Sequence, residues 1–264
     1  MAEARRTAVS SPNEELSGQA ACSAQRRQPK TSERIARILA SRIVDRQLEP
    51  GTRLPPEKEM VETFGVGRTT LREALRLLET RGVITIKTGP GGGPVVRRPH
   101  ASDLSEALTL ILEFERSPLN AVFEARVALE PTLARLAATR IDNDRVELLQ
   151  RSVDAMLADL NDHDTFLAEN QRFHSLIAEV AGNAVLSVFV ETLKAVADGA
   201  LMGVRYTPNR RRAVAAAHQR IVDALRGGDA FGAEEAMKQH LDEAGRYWSR
   251  KYGSLLSDPL RWAD

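Results

Sequence analysis

Two arginines and two threonines close together in this 264-residue chain have the chemistry needed to contact duplex DNA. Arg68 and Arg72 are four residues apart, so they project from one face of a helix. Arginine can bond both acceptors of a guanine, and the hydroxyls of Thr69 and Thr70 can donate to phosphate oxygens beside a helix N-terminus. Arg53, earlier in the chain, can reach the DNA backbone. The alternative is an ordinary helix with a solvated Arg and Thr face.

An apolar face on the same helix would anchor it to the protein. Its residues recur at i, i+3, i+4 and i+7 and are Leu71, Ala74, Leu75 and Leu78. The pattern predicts a helix over about 68–80, and Gly82 follows it where a C-cap glycine belongs. Two helical patterns precede it, one starting at Thr31 and one over about 57–63, with a turn at Gly65.

A hairpin is predicted after the third helix. The segment Val83-Ile-Thr-Ile-Lys87 alternates in polarity and is rich in β-branched residues, and Val95-Val96-Arg97 would return as its partner. The glycine-rich run between them cannot be helical. Three helices and a hairpin within about 70 residues are the parts of a winged helix-turn-helix, whose wing would bring Thr88 and Gly89 to the minor groove.

The charge of the chain is divided unevenly, although its net value is only +1. Residues 31–100 carry 13 Lys/Arg against 8 Asp/Glu, a net of +5, whereas residues 101–264 carry 19 against 25, a net of −6. A basic segment joined to an acidic one suggests that the two parts have separate partners, and DNA suits the basic part. The alternative is chance clustering of solvated charges.

Several classes of protein are disfavoured by composition. No apolar run approaches the ~20 residues of a membrane span, and the N-terminus lacks an apolar stretch of signal-peptide length. Cys22 is the only cysteine, so an intramolecular disulfide is impossible, and a reducing cytoplasm is the expected compartment.

The chain is predicted to be mainly α-helical and to have two domains. A disordered tail over 1–30 precedes the winged domain of 31–100, and an all-helical domain over 101–255 precedes a second tail, 256–264. The helical domain is predicted to be an antiparallel bundle of six or seven helices. Its helical patterns lie at about 103–115, 118–139, 143–160, 164–180, 184–203, 209–226 and 230–252.

Histidines in the helical domain suggest a metal site. Asn170 and His174 lie four residues apart and share a helix face, and His218 lies in the middle of a later helix. His240 is on the next helix, which should run antiparallel to that of His218 after the Gly227-Gly228 turn. Three imidazoles and an amide oxygen could therefore meet at one divalent cation inside the bundle. Ordinary core or surface histidines are the alternative.

The N-terminal segment resembles the DNA-binding domain of the GntR family of bacterial transcription regulators. The matching stretches are Leu48-Glu-Pro-Gly-Thr-Arg-Leu-Pro-Pro-Glu57, Phe64-Gly-Val-Gly-Arg-Thr-Thr-Leu-Arg-Glu-Ala-Leu75 and Leu78-Glu-Thr-Arg-Gly-Val83. Gly67 departs from the family, which usually has Ser or Thr there, and glycine caps a helix only a few tenths of a kcal/mol less well. The resemblance implies DNA contacts from Arg53, Arg68, Thr69, Thr70, Arg72, Thr88 and Gly89.

The second half resembles the effector-binding domain of the FadR subfamily. The matching stretches are Phe123-Glu-Ala-Arg-Val-Ala-Leu-Glu-Pro131, Asn170-Gln-Arg-Phe-His174, Ala181-Gly-Asn183 and His218-Gln-Arg-Ile-Val-Asp-Ala-Leu225 through His240. In that domain an Asp and three His commonly hold a metal, often zinc. The Asp position matches Asn170 here, which keeps a carbonyl oxygen but lacks the charge, so metal affinity should fall and zinc, nickel or another cation remain open.

The resemblance also implies that Arg126 faces a cavity and binds an organic-acid carboxylate, whereas spacing alone suggests an ion pair with Glu130. Asn183 is interpreted as helix-end chemistry. No role is assigned to His163, placed in a charged loop, or to His100, placed in the linker. The run Arg210-Arg211-Arg212 is interpreted as a solvated helix start.

The favoured interpretation is a homodimeric, cytoplasmic, DNA-binding regulator and not an enzyme. A small carboxylate bound near the metal would change its operator affinity, and relief of repression is the expected sign by family analogy. One rival is a metal-dependent enzyme carrying a DNA-binding domain, although no general base is evident beside the ligands. The other rival is a regulator with a purely structural metal and no effector.

Overall fold

The computed structural model describes residues 30–89, 91–200 and 204–261. For residues 199 and 200 it describes the backbone alone. The tail predicted for residues 1–30 lies outside the described residues except for Lys30. No helix in these described ranges combines the length and the apolar character needed to cross a membrane.

The N-terminal domain has three helices followed by a two-stranded antiparallel hairpin, as predicted. Its strands are paired from Ile84 opposite Val96 to Lys87 opposite Gly93. The element bounds are α1 Thr31–Asp45, α2 Glu57–Phe64, α3 Arg68–Thr80, β1 Ile84–Lys87 and β2 Gly93–Val96.

Helix α3 is held by the apolar face that its sequence pattern predicted. Its four inward residues, Leu71, Ala74, Leu75 and Leu78, are at most 1% exposed and pack with residues of α1, α2 and both strands. Gly65 closes α2 in the left-handed conformation, with φ of 61°, which costs glycine little. Gly67 occupies the N-cap of α3 without a side-chain cap, so the family's hydroxyl contact is absent here.

The C-terminal domain is a bundle of helices, and all seven predicted helices are present. Their bounds are α4 Ala101–Phe114, α5 Leu119–Ala138, α6 Asn143–Ala158, α7 His163–Val180, α8 Ala184–Ala200, α9 Pro208–Arg226 and α10 Ala230–Lys251. The main core lies between α5, α6, α7, α9 and α10. Asn183 caps α8, since its Oδ1 accepts the Leu186 N–H at 3.2 Å, in agreement with its interpretation as helix-end chemistry.

The end of the chain differs from the predicted tail of 256–264. A further short helix, α11 Gly253–Ser257, follows α10, and Leu256 and Leu260 are 5% and 3% exposed. These two residues pack with Leu119 and Trp248 in a second apolar cluster of the domain. The packed C-terminal domain therefore extends at least to Leu260, because apolar contacts that are distant in sequence hold this segment.

A polar junction joins the two domains. Oδ1 of Asp103, in the first turn of α4, accepts a hydrogen bond from Nη1 of Arg97 at 2.7 Å, and its Oδ2 accepts one from the backbone N–H of His100. Gly82, just beyond α3, has φ of 69°, and a Cβ there would lie 2.3 Å from Oδ2 of Asp103. His100 thus marks the start of α4, and the junction depends on glycine at position 82.

Candidate DNA interface, metal centre and ligand cavity

The predicted DNA-contacting side chains lie on the outside of the N-terminal domain. Arg68 and Thr69 are exposed and Thr70 is half-buried at the start of α3, whereas the opposite face of this helix is buried. The side chain of Arg72 is 64% exposed, and its Nε donates to Oε2 of Glu57 in α2 at 2.9 Å. The two guanidinium groups are therefore offered to solvent and are not turned into the bundle.

Arg53 is connected to the wing. Its Nη1 donates to the backbone carbonyl of Gly91 at 2.7 Å, and the residue forms an isolated bridge with Val95. Thr88 and Gly89 are exposed at the tip, where Gly89 has φ of 91°. Arg53 thus contacts the wing at Gly91 and Val95 and can position it as well as contact a phosphate.

Three of the four predicted metal ligands meet inside the bundle. His174 of α7, His218 of α9 and His240 of α10 are 3%, 0% and 4% exposed, and each offers a ring nitrogen within 4.8 Å of the others. Nε2 of His240 lies 3.3 Å from Nε2 of His174 and 3.3 Å from Nε2 of His218. The expected antiparallel arrangement of α9 and α10 is what brings His218 beside His240.

The donor set fits a divalent metal ion. Burial, followed by the neighbouring histidines, lowers the pKa of His218 and of His240 well below the usual value, which favours the neutral imidazole that binds metals. Two nitrogens bound to one tetrahedral zinc at about 2.0–2.1 Å lie roughly 3.3 Å apart, which matches the two measured separations. The Nδ1 atoms of His218 and His240 have no hydrogen-bond partner. The geometry can therefore hold a metal on the Nε2 atoms.

Glu130 is a member of this site that the sequence analysis did not place there. Its Oε2 lies 2.6 Å from Nδ1 of His174, and its Oε1 accepts from Nε of Arg126 at 2.6 Å. Burial works to raise the pKa of Glu130, but the charge of Arg126 and the contacts with His174 bring it far below its usual range. Because an ionised carboxylate only accepts, Nδ1 of His174 carries the hydrogen and its Nε2 keeps a lone pair for a metal.

A cavity of about 370 Å³ opens beside the histidines and has Arg126, Asn170, His174 and His240 in its wall. The side chain of Arg126 is 11% exposed, so the residue is both in the cavity wall and ion-paired with Glu130. Asn170 is half-buried on the same helix face as His174. The volume lies within the range typical of small-molecule sites.

The positions interpreted for His163 and for Arg211 were wrong. His163 begins α7 instead of lying in a loop, and its Nε2 is 3.2 Å from the carbonyl of Val204. Arg211 is 6% exposed and donates to the carbonyls of Tyr206 and Leu160, so it is not part of a solvated helix start.

Arg210 lines the cavity, which also differs from the solvated helix start predicted for it. Lys194 and Asp198 of α8 do so too, and burial raises the pKa of Asp198. Lys194 and Asp198 lie on α8, which carries none of the three histidines, so local sequence patterns gave no signal for them.

Comparison with protein families gives two matches on this chain. The family described as "Bacterial regulatory proteins, gntR family" matches residues 31–92, and the "FCD domain" matches residues 121–243. The first match contains α1, α2, α3 and β1 of the winged helix-turn-helix, and the second contains Arg126, Glu130 and the three histidines.

Curated relatives and a solved structure agree with these matches. The chain is 33% identical over 211 residues to an uncharacterized HTH-type transcriptional regulator, YcbG of Bacillus subtilis. The aligned residues cover 79% of this chain and 84% of that protein. It is 31% identical over 221 residues to the putative L-lactate dehydrogenase operon regulatory protein of Escherichia coli, covering 80% and 83%. It is 30% identical over 230 residues to the transcriptional repressor NanR of Cronobacter sakazakii, covering 83% and 85%.

Streptococcus agalactiae GntR superposes with a TM-score of 0.64 at 28% identity, over 82% of this chain and 99% of that one. These relatives are regulators of transcription and not enzymes, which removes the metalloenzyme alternative. The chain therefore belongs to the GntR family of bacterial transcription regulators, as a DNA-binding protein with an FCD domain in its C-terminal half.

Proposed function

We propose that the protein is a homodimeric, cytoplasmic repressor whose operator affinity is lowered by a small organic acid bound in the cavity. The observation that carries the proposal is the convergence of three histidine Nε2 atoms beside a cavity that His174, His240 and Arg126 line. A metal held there would supply a Lewis acid for carboxylate oxygens, and zinc is the ion that we expect from the nitrogen donors. Asn170 would add its amide oxygen as a fourth ligand.

Arg126 would bind the effector carboxylate beside the metal. Its Nε is occupied by Glu130, which leaves the terminal nitrogens of a planar guanidinium for the ligand. Glu130 keeps Arg126 and His174 in fixed positions at once, because each of its oxygens is bonded to one of them. Binding of the acid and binding of the metal would therefore depend on each other.

Operator recognition is assigned to the exposed side chains of α3 and the wing. Arg68 and Arg72 would contact base edges, and Thr69 and Thr70 would contact phosphates. Thr88 and Gly89 would enter the adjacent minor groove, with Arg53 on the backbone. Each copy would read one half-site of a two-fold symmetric operator.

The proposed homodimer is supported by an apolar surface on the packed helices α4 and α8. Ile111 and Phe114 of α4 are 59% and 83% exposed, and Val185 and Phe189 of α8 are 65% and 51% exposed. A cluster of large apolar side chains at adjacent sites on a monomer is typical of an interaction surface, and a second copy would cover it symmetrically.

The experiment that tests the proposed function is a gel shift with the metal-loaded full chain. The DNA is a duplex selected by the protein from a random library, and the additions are a panel of hydroxy acids, sugar acids, dicarboxylates and fatty acids. We expect at least one acid to lower the affinity for the duplex by about 5–150-fold, as in typical allosteric coupling. Binding to the duplex that is unchanged by every acid would favour the rival with a purely structural metal.

A further inference from the structure

The cavity has a second polar end, where helices α7 and α9 begin. His163 and Arg210 line this end. His174 follows His163 by eleven residues along α7, which corresponds to about 16 Å of helix rise. His218 follows Arg210 by eight residues along α9, or about 12 Å. The cavity therefore extends between two separate groups of polar residues.

Arg210 lacks a counter-charge at this second end. It forms no ion pair with any described residue, and its Nε is buried without a hydrogen-bond partner. Its guanidinium carbon lies 4.8 Å from the ring centroid of Tyr247. The carboxylate that acts electrostatically on Arg210 is that of Glu243, which is ion-paired with Arg220 at 3.6 Å. Burial lowers the pKa of Arg210. A partly desolvated cation without a partner is unfavourable, so an anion bound here would relieve that cost.

The two more deeply buried cations of the wall are compensated, in contrast to Arg210. Arg126 is paired with Glu130 at 2.6 Å. Nζ of Lys194 lies 3.0 Å from Glu191 and also donates to the hydroxyl of Ser175 and to a backbone carbonyl, so its donors are occupied. Of these three cations, Arg210 is therefore the one without an acidic partner among the described residues.

His163 provides a second group without a partner at the Arg210 end. Its Nε2 lies 3.2 Å from the backbone carbonyl of Val204, which can only accept, so this nitrogen carries the hydrogen. Its Nδ1 is buried and has no hydrogen-bond partner. A ligand carboxylate reaching this end would accept from Arg210, whereas Nδ1 of His163, which keeps a lone pair, would accept from a ligand hydroxyl.

We propose that Arg210 forms a second anion-binding end of the cavity, beside His163, so that the effector is an elongated dicarboxylate. This inference rests on the proposed function, in which one carboxylate binds at the histidine end. The wall between the two ends includes Phe166, Val214 and Leu241, which suits an aliphatic chain. A short monocarboxylate would fill one end and leave Arg210 uncompensated.

Calorimetry with the metal-loaded full chain tests the proposal directly. Dicarboxylates of about four to eight carbons, succinate to suberate, are compared with monocarboxylates of equal length, butyrate to octanoate. We expect one dicarboxylate length to bind about tenfold more tightly than its matched monocarboxylate, because a charged hydrogen-bonded contact is added. The metal content after each titration distinguishes binding in the cavity from removal of the metal by chelation.

Substitutions assign the preference to Arg210. Arg210→Met should remove the dicarboxylate preference and leave monocarboxylate affinity within about twofold. Arg210→Lys should keep part of the preference, since it retains the charge and loses the planar fork. Arg212→Met, at the exposed neighbour, is the matched control and should behave like the wild type. Thermal unfolding of each variant verifies that it is folded.

The outcomes separate this inference from the proposed function. Equal binding of both series by the wild type would overturn the second anion end and leave a carboxylate effector in place. A dicarboxylate preference retained by Arg210→Met would also overturn it. Binding of neither series to the wild type would overturn the dicarboxylate assignment, and the hydroxy acids and sugar acids of the gel-shift panel would then test the proposed function separately.

Discussion

Asp103 in α4 is bonded to Arg97, the residue that follows strand β2, with 2.7 Å between Oδ1 and Nη1. A Cβ on Gly82, just beyond the end of α3, would lie 2.3 Å from Oδ2 of the same carboxylate. Helix α4 packs against α8, which contributes Lys194 and Asp198 to the cavity wall. A contiguous set of contacts therefore connects the cavity with both the wing and the end of α3, which is the physical requirement for coupling between them.

Asp103→Ala should uncouple the domains. The variant loses both hydrogen bonds of the carboxylate, so its free energy of unfolding should be lower by about 1 kcal/mol. We expect its affinity for the operator to stay close to that of the wild type, whereas the change caused by an acid should be reduced. Gel shifts with and without the acid measure both quantities. Glu106→Gln, exposed on the same helix, is the control, and a full acid response in Asp103→Ala would rule out this junction as the coupling element.

Glu130→Gln should weaken metal binding without removing a ligand. The substitution takes away the carboxylate that orients His174, and loss of such a partner typically costs about 10–100-fold in metal affinity. Competition with a chromogenic chelator measures the affinity. Glu124→Gln, exposed on the same helix, should bind metal as the wild type does. Unchanged metal affinity in Glu130→Gln would mean that the contact with His174 has no role in the site.

Asn170→Asp should strengthen metal binding. A carboxylate adds negative charge at a position where the related domains usually have Asp, and hard divalent cations gain most from that charge. The same chelator competition gives the result, and the gain should be larger for manganese than for zinc because oxygen donors suit manganese. An affinity equal to that of the wild type for every metal would place the side chain of residue 170 outside the coordination sphere.

Arg68→Ala and Arg72→Ala should each cost about 1–3 kcal/mol at the operator and relax the base preference. Both side chains are exposed at the start of α3, and Glu57 holds that of Arg72 by a 2.9 Å contact. Arg76→Ala, one turn later on the same helix, is the matched control for loss of charge. Selection of binding sites by each variant provides the measurement, and unchanged binding by both would contradict the placement of the recognition helix.

Local patterns predicted the parts of the fold that depend on local physics. The i, i+3, i+4, i+7 spacing of Leu71, Ala74, Leu75 and Leu78 gave the buried face of α3. The alternating segment gave β1, whereas β2 begins at Gly93, inside the glycine-rich run that was predicted to be the turn. The meeting of His218 and His240 was also predictable, because a short turn forces their helices to run antiparallel.

The remaining features depend on packing between distant segments. Glu130 reaches His174 from another helix, across 44 residues of sequence, so no motif contains both. His163 and Arg211 have strongly polar neighbours in the sequence that suggest solvent exposure, but their hydrogen-bond partners are the backbone carbonyls of Val204, Tyr206 and Leu160. Such contacts are set by how the helices pack and not by periodicity.

The most direct test of the account is whether the response to an acid requires the metal. The operator affinity of the full chain is titrated with an active acid before and after treatment with a chelator, and again after the metal is restored. We predict that the acid lowers operator affinity only in the metal-loaded protein, and that His218→Ala behaves like the chelated wild type. An equal response of the metal-loaded and metal-free proteins would contradict a site in which the three histidines, the metal and the acid act together.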